Sequence, residues 1–324
     1  MSHLDPSSAV AQQKNLAIQL FDELRTKTFD GIGVTRSSYG EGEQIARDII
    51  ANAADRLGMT IEDDPAGNVY MTLNGADPEA APIIIGSHID SVAQGGNFDG
   101  AAGVISGLVA CAGLINAGIT PSRNIKVMGI RAEESAWFGV SYIGSRSALG
   151  TLPSNALDNA KRSDTDRTLA DHMLLAGCDP DALRNGTVFL PPKSLHAYIE
   201  VHIEQGPVLE EAQIPLAIVT GIRGNRRLPN AKCIGEYSHC GGVPRSHRKD
   251  AVIATAELVS YLDNIWNECE KGGKDFAFTI GKFFTDPEWH AMTKISGNVE
   301  FSLDMRSLDG AFIEKMTHRV KEEA

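Results

Sequence analysis

With 324 residues, 42% of them apolar and 22% charged, the chain has length for two domains and the composition of an ordinary soluble globular protein rather than a disordered one. A formal charge of −12 without a compensating basic block argues against nucleic acid and anionic membrane as partners. Five scattered cysteines with no CxxC pair point to free thiols in a reducing cytoplasm, and the N-terminus lacks the basic start and apolar core of a secretion signal.

In chain order, the first dozen residues are polar and predict a mobile arm. Helical periodicity follows over residues 14–28 (Leu16, Leu20, Phe21, Leu24) and again over 39–59 (Ile45, Ile49, Ile50, Leu57), where Gly58 is a natural stop. Residues 60–63 and 69–73 read as strands around the turn DDPAGN. The apolar run at residues 83–85 predicts a buried strand, and His88 and Asp90 beyond it, two apart, share one face of an extended backbone. A loop with Gly95, Gly96 and Gly100 around Asp99 leads into residues 101–119, which are nearly uncharged and long enough to weigh as a membrane span. Their many Ala and Gly residues and Asn116 predict instead a helix buried under a sheet.

Residues 125–130 form the next predicted strand, which runs into Arg131, Ala132, Glu133 and Glu134. Residues 150–194 are polar, with helical stretches and turn residues, and carry little recognisable chemistry. Residues 197–203 alternate and end at His202, ahead of Glu204, Gln205, Gly206 and Pro207. Past Pro215 the pattern is strand (232–234), helix (250–270), strand (276–283), strand (299–305) and helix (311–323), a compact α+β unit of its own.

Taken singly, His88 with Asp90 reads as a polar strand end, Glu133 with Glu134 as a solvated acidic turn, and His202 as a core histidine. Jointly, His88, Asp99, Glu133, Glu134 and His202 lie at or just after predicted strands whose ends converge if those strands share a sheet, the usual place for chemistry in open α/β folds. Mixed imidazole and carboxylate donors suit Zn²⁺, Mn²⁺ or Co²⁺ rather than Ca²⁺. A shared Asp99 can hold two ions, and one glutamate of the pair can move a proton while the other binds metal.

The segments GSHIDSVAQGGNFDGAAGV, EES-x-WFG, GSR-x-ALG, EVHIEQGPVLE and GEYSHCGGVP-x-x-HRKDA, with VTRSSYGEGEQIA and DPAGNVY, resemble the hydantoinase/carbamoylase amidase family over nearly the whole chain. That family includes N-carbamoyl-L-amino-acid hydrolase, β-ureidopropionase and allantoate amidohydrolase, within the zinc exopeptidase superfamily. The resemblance implies an α/β fold, a zinc-exopeptidase-like mixed sheet sandwiched by helices, with an inserted α+β lid and dimerisation domain. It assigns residues 1–213 to a catalytic metal-binding domain and 214–324 to the lid.

It further implies two divalent ions per subunit in the complete fold, with Asp99 bridging them and His88, Glu134 and His202 as further ligands. Glu133 matches the general base, Asp90 the residue that orients His88, and Gln205 a substrate contact. In the lid, His239 matches a histidine that stabilises the oxyanion and Arg306 the arginine that holds a substrate carboxylate. The implied reaction is hydrolysis of a linear carbamoyl or ureido C–N bond in a homodimer formed through the lid.

The chain departs from the family pattern at Thr293 and Ser296, at Gly242, Val243, Pro244 and Arg245, and at Ser135 and Trp137. Family chains also return from the lid to the catalytic domain with another strand and a final ligand histidine, whereas this sequence stops at Ala324. The expectation is therefore an incomplete catalytic domain that binds fewer than two ions. A non-catalytic dimeric homologue, an allantoate-type amidohydrolase and an aminoacylase or dipeptidase are the alternative readings.

Overall fold

The computed structural model describes residues 5–323, which gather into two units, one ending at Pro207 and the next beginning at Val208. The first is built on a five-stranded sheet: β1 Thr60–Asp63, β2 Val69–Leu73, β3 Ile83–His88, β4 Ile125–Ile130 and β5 Ala197–Ile199, in the spatial order β1-β2-β4-β3-β5. Turn chemistry sets its start, because Asp64 accepts backbone hydrogen bonds from Ala66 and Asn68 and so folds β1 back onto β2 as an antiparallel pair. β2 runs antiparallel to β4, whereas β3 lies parallel to both β4 and β5. The parallel arrangement brings the C-terminal ends of β3, β4 and β5 to one edge of the sheet.

Helix Ala101–Asn116 covers this sheet, and its glycines explain how closely. A Cβ at Gly107 would stand 2.9 Å from Val127 Cγ1 and 3.1 Å from Ile85 Cγ2, so only glycine lets the helix axis come this near. Leu20, Leu24, Ile49, Ile50, Val104, Leu108 and Val127 close the core around it. Among the described residues no helix is long and apolar enough to cross a membrane.

Two expectations change in this unit. Residues of the predicted mobile arm form a helix, Pro6–Ala11, capped by the Asp5 carboxylate, with Ala9 fully buried. Val10 fills the space left by Gly113, where a Cβ would come within 2.5 Å of it, so a packing gap orders a polar segment; residues 1–4 of the arm lie outside the described residues. The strand predicted over 197–203 stops at Ile199, pairing with β3 only through residues 83–85. The polar stretch 150–194 contributes Leu157, Leu169 and Met173 to a second core, with Tyr39, Trp137, Phe138 and Ile143.

In the second unit, β6 Gly224–Ile234 pairs antiparallel with β11 Asn298–Ser307, whose other side carries β8 Ala277–Thr279 and β9 Phe283–Thr285; β7 Ser238–His239 pairs with β10 Lys294–Ile295. Helices Ala251–Lys271 and Gly310–Glu323 supply Leu258, Leu262, Ile265, Met316 and Val320 to a core shared with Val299, Phe301, Leu303 and Met305. β6 is longer than periodicity predicts because Pro229 falls at a register shift between Phe301 and Leu303 of β11, on an edge strand where a missing N–H is tolerated. The strand predicted over 276–283 splits into β8 and β9.

Candidate metal centre

At the end of β3, His88 is buried, with its Nδ1 3.0 Å from the backbone carbonyl of Asp90 and 3.4 Å from that residue's Oδ1. His202 stands on the irregular segment after β5, its Nδ1 2.9 Å from the carbonyl of Ile203. With each Nδ1 donating to a carbonyl, each Nε2 is turned toward the same point. The two Nε2 atoms are 3.4 Å apart, and Asp99 Oδ1 lies 3.5 Å from that of His88 and 3.3 Å from that of His202.

The result is a nearly equilateral triangle of donors. Four donors at the 2.0–2.2 Å bond lengths of zinc would stand about 3.4 Å from one another on a tetrahedron, so the triangle matches one face of such a shell. Asp99 Oδ1 is buried and makes no hydrogen bond of its own, which is the state of an oxygen reserved for a cation. These three residues form the one group of potential metal donors among the described residues, and they fit a divalent ion.

Two elements hold the loop that carries Asp99. Gly100, at φ +66°, lies over the His88 ring so tightly that a Cβ would come within 2.5 Å of Cγ. From behind, the fully buried Arg36 donates from Nε to the Ile89 carbonyl at 2.8 Å and from Nη2 to the Asp99 carbonyl at 3.2 Å.

The acidic pair at the end of β4 is positioned with equal economy. Ala132 takes a left-handed backbone, φ +54°, which turns Glu133 and Glu134 out of the strand direction. Glu43, completely buried, holds that turn: Oε1 accepts from the Ala132 N–H and Oε2 from Arg131 Nε, both at 2.7 Å. The Asp90 carboxylate accepts from the Glu133 and Glu134 N–H groups, each at 3.1 Å, and from Ser38 Oγ at 2.7 Å. Asp90 therefore joins the ends of β3 and β4 rather than acting on His88 alone; the shortest contact to His88 Nδ1 is its main-chain oxygen. Trp137 reinforces the junction, donating from Nε1 to the Ser91 carbonyl at 2.8 Å.

Electrostatics sharpens the arrangement in the ion-free protein. Burial opposes charge on His88, but Asp90 and Asp99 outweigh it and push the imidazole up to about 11. Asp99 is held far below the usual carboxylate range by the imidazoles of His202 and His88. Burial raises Glu133 to about 7, against a hydrogen bond to Oε1 from the Ser145 N–H at 2.8 Å. Burial also raises Glu134, which senses the charges of His88, Asp90, Asp99 and His202 without joining the three-donor group.

Gln205 reaches Asp99 directly, donating from Nε2 to Oδ2 at 2.7 Å. In the second unit, His239 sits on β7 opposite Lys294, exposed, and accepts from the Gly241 N–H at 3.1 Å. Arg306 lies on β11, exposed, its Nε and Nη2 3.1 and 2.9 Å from Asp304 Oδ2. Sequence reasoning assigned no role to Arg36, Ser38, Glu43 or Ser145. The first three lie in VTRSSYGEGEQIA and the last in GSR-x-ALG, segments whose resemblance marks them without saying what they touch.

A mixed sheet with imidazoles and carboxylates gathered at its strand ends defines an α/β protein of the zinc-exopeptidase type. The model of Peptidase family M28 matches residues 68–165, the stretch that carries His88, Asp90, Asp99, Glu133 and Glu134. The chain is 37% identical over 276 residues to an N-carbamoyl-L-amino acid amidohydrolase of Geobacillus stearothermophilus, covering 85% of this chain and 65% of that one. It is 33% identical over 302 residues to a probable allantoate deiminase of Oryza sativa subsp. japonica, covering 87% of this chain and 60% of that relative. The crystal structure of a hydantoinase/carbamoylase family amidase from Burkholderia ambifaria superposes with a TM-score of 0.78 at 31% identity, over 94% of this chain and 73% of that one. The chain belongs to the hydantoinase/carbamoylase amidase family. It spans 65% and 60% of the lengths of the two curated relatives.

Proposed function

We propose that this chain is part of a metal-dependent amidohydrolase that cleaves a linear C–N bond of an N-carbamoyl amino acid or a related ureido acid. The observation that carries the reading is the triangle of His88 Nε2, His202 Nε2 and Asp99 Oδ1, with edges of 3.3–3.5 Å. Zn²⁺, Mn²⁺ and Co²⁺ suit such donors, and Glu134 is the further ligand proposed for a second ion sharing Asp99.

Held by His88, His202 and Asp99, a divalent ion would supply Lewis acidity to the scissile carbonyl and to the attacking water. Glu133 takes the proton from that water and returns it to the leaving nitrogen, the task of a carboxylate placed beside the metal donors. The Ser145 N–H fixes the orientation of this carboxyl through Oε1. Asp90 keeps His88 and Glu133 in register with each other. Arg306 reads the substrate carboxylate through its planar fork and His239 supports the oxyanion. The enzyme is proposed to act in the cytoplasm as a homodimer formed through the second unit.

A panel of N-carbamoyl-L-amino acids, allantoate, N-acyl amino acids and dipeptides, each assayed with and without a chelator, tests the reading. Chelator-sensitive release of ammonia from the carbamoyl or ureido compounds is expected. Allantoate cleavage is the second reading, favoured by the likeness to the rice protein. Turnover of N-acyl amino acids or dipeptides alone would reassign the substrate class, and no hydrolysis with any ion would leave a non-catalytic homologue.

A further inference from the structure

The structure assigns Glu200 as a positioning residue that sets the spacing of the two imidazoles by tying the segment that carries His202 to the end of β3. The inference rests on the metal-centre reading above and concerns what fixes the triangle of donors before any ion arrives. His88 is the last residue of β3, inside the sheet, whereas His202 lies beyond Ile199, the residue at which pairing between β5 and β3 stops. The strand ladder therefore does not set how near His202 comes to His88. At this point Ser87 Oγ donates to Glu200 Oε1 at 2.6 Å, and the other carboxylate oxygen accepts from the Tyr198 hydroxyl at 3.3 Å. Ser87 immediately precedes one histidine donor and Glu200 stands just ahead of the other. The bond thus spans the gap between the two backbones on which the 3.4 Å separation of the Nε2 atoms depends.

Burial and packing both support the tether. Ser87 has no solvent exposure, and a buried hydroxyl without a partner is costly, so the exposed Glu200 reaches inward to satisfy it. A length of 2.6 Å is that of a hydroxyl on an ionised carboxylate, among the strongest of protein hydrogen bonds. Gly103 of the covering helix lies against both sides of the gap: a Cβ there would stand 2.6 Å from Ser87 Cβ and 2.5 Å from the Val201 carbonyl oxygen. The helix bears on the two segments together, and Glu200 joins them. Without the tether His202 can drift from His88 and Asp99, so the donors remain but no longer converge.

Titration of chelator-treated protein with Co²⁺, in competition with a chromophoric chelator, tests the tether, and the visible Co²⁺ band records the geometry of the bound ion. Ser87→Ala removes the hydrogen-bond donor and keeps the Glu200 charge. Glu200→Ala removes acceptor and charge, while Glu200→Gln removes the charge and keeps a carbonyl oxygen for Ser87. Both alanine variants are expected to bind Co²⁺ about tenfold more weakly or worse, the scale of a lost supporting partner, with a shifted band. The double variant should match the weaker single one within about twofold, because both remove the same bond. Glu200→Gln should stay within about threefold of the unmodified protein. The exposed Glu200 carries the test if Ser87→Ala fails to fold. Unchanged affinity and band in Glu200→Ala, or equal weakening in Glu200→Ala and Glu200→Gln, the signature of charge alone, would overturn the tether and leave the metal centre standing. Absence of Co²⁺ binding in the unmodified protein would instead overturn the metal-centre reading, and the tether with it.

Discussion

In the first unit the candidate side chains at the strand ends, the exposed His202 apart, are buried or half-buried and held by one another, with Glu43 on Arg131, Asp90 on the Glu133 and Glu134 amides, and Arg36 on the Asp99 carbonyl. In the second, His239 and Arg306 stand exposed and are answered locally, by the Gly241 amide and by Asp304 two residues away. Burying that many polar groups is costly unless each finds a partner, so the first cluster is specified by the whole fold of its unit. The second pair can be altered with little consequence for the unit that carries it. The comparison separates residues that make a site from residues that acquire a role only when substrate arrives.

The largest effect should come from the triangle. Asp99→Asn removes the one charged donor, and the affinity for Co²⁺ or Zn²⁺ should fall about a hundredfold or more, beyond what loss of a supporting partner costs. Chelator competition measures it, and a loss below tenfold would break the distinction between the two units.

Glu43→Gln comes next. It strands the buried Arg131 charge and releases the Ala132 turn, so chemical denaturation should show a loss of about 3–5 kcal/mol. A loss under about 1 kcal/mol would mean that the clamp is not what fixes the glutamates.

Glu133→Gln sharpens the picture within the first unit. Hydrolysis should be abolished with metal content unchanged, whereas Glu134→Gln should lose metal; equal metal loss in both would reverse the assignment. In the metal-free protein the sign of the stability effect also follows. Burial lifts the Glu133 carboxyl from 4.5 to about 7, so it imposes no electrostatic cost below the lower value, a cost that grows between the two, and a constant one above the upper value. The melting temperature of Glu133→Gln relative to the unmodified protein should therefore rise between about pH 5 and pH 8, and a flat difference would mean that Glu133 stays ionised throughout.

The smallest structural effect belongs to Arg306→Lys. Its ion pair with Asp304 is solvent-exposed, so stability should change by about 0.5 kcal/mol or less. Catalytic efficiency toward carboxylated substrates should fall while that toward neutral amides does not. A uniform fall would make Arg306 structural.

The strand ends were legible in the sequence because each motif follows an apolar run, and a run that stops at a histidine or a glutamate pair announces where the backbone leaves the sheet. His88, Asp99 and His202 were thus found before their distances were known. Their supports were not. Arg36 meets Asp99 across 63 residues and Glu43 meets Arg131 across 88, and no local spacing signals such pairings. Asp90 lies beside His88, its Oδ1 3.4 Å from Nδ1, but its carboxylate also accepts from Ser38 and the β4 end, which the parallel register of β3 and β4 brings within reach. In the fold, Pro229 hid most of β6, and the gap over Gly113 that orders Pro6–Ala11 has no signature in the segment it orders.

Anomalous diffraction from a crystal grown with Co²⁺ or Zn²⁺, recorded on both sides of the metal edge, tests the central claim most directly. The account predicts a peak bonded to His88 Nε2, His202 Nε2 and Asp99 Oδ1. A peak elsewhere, or an ion bound without His202, would contradict it.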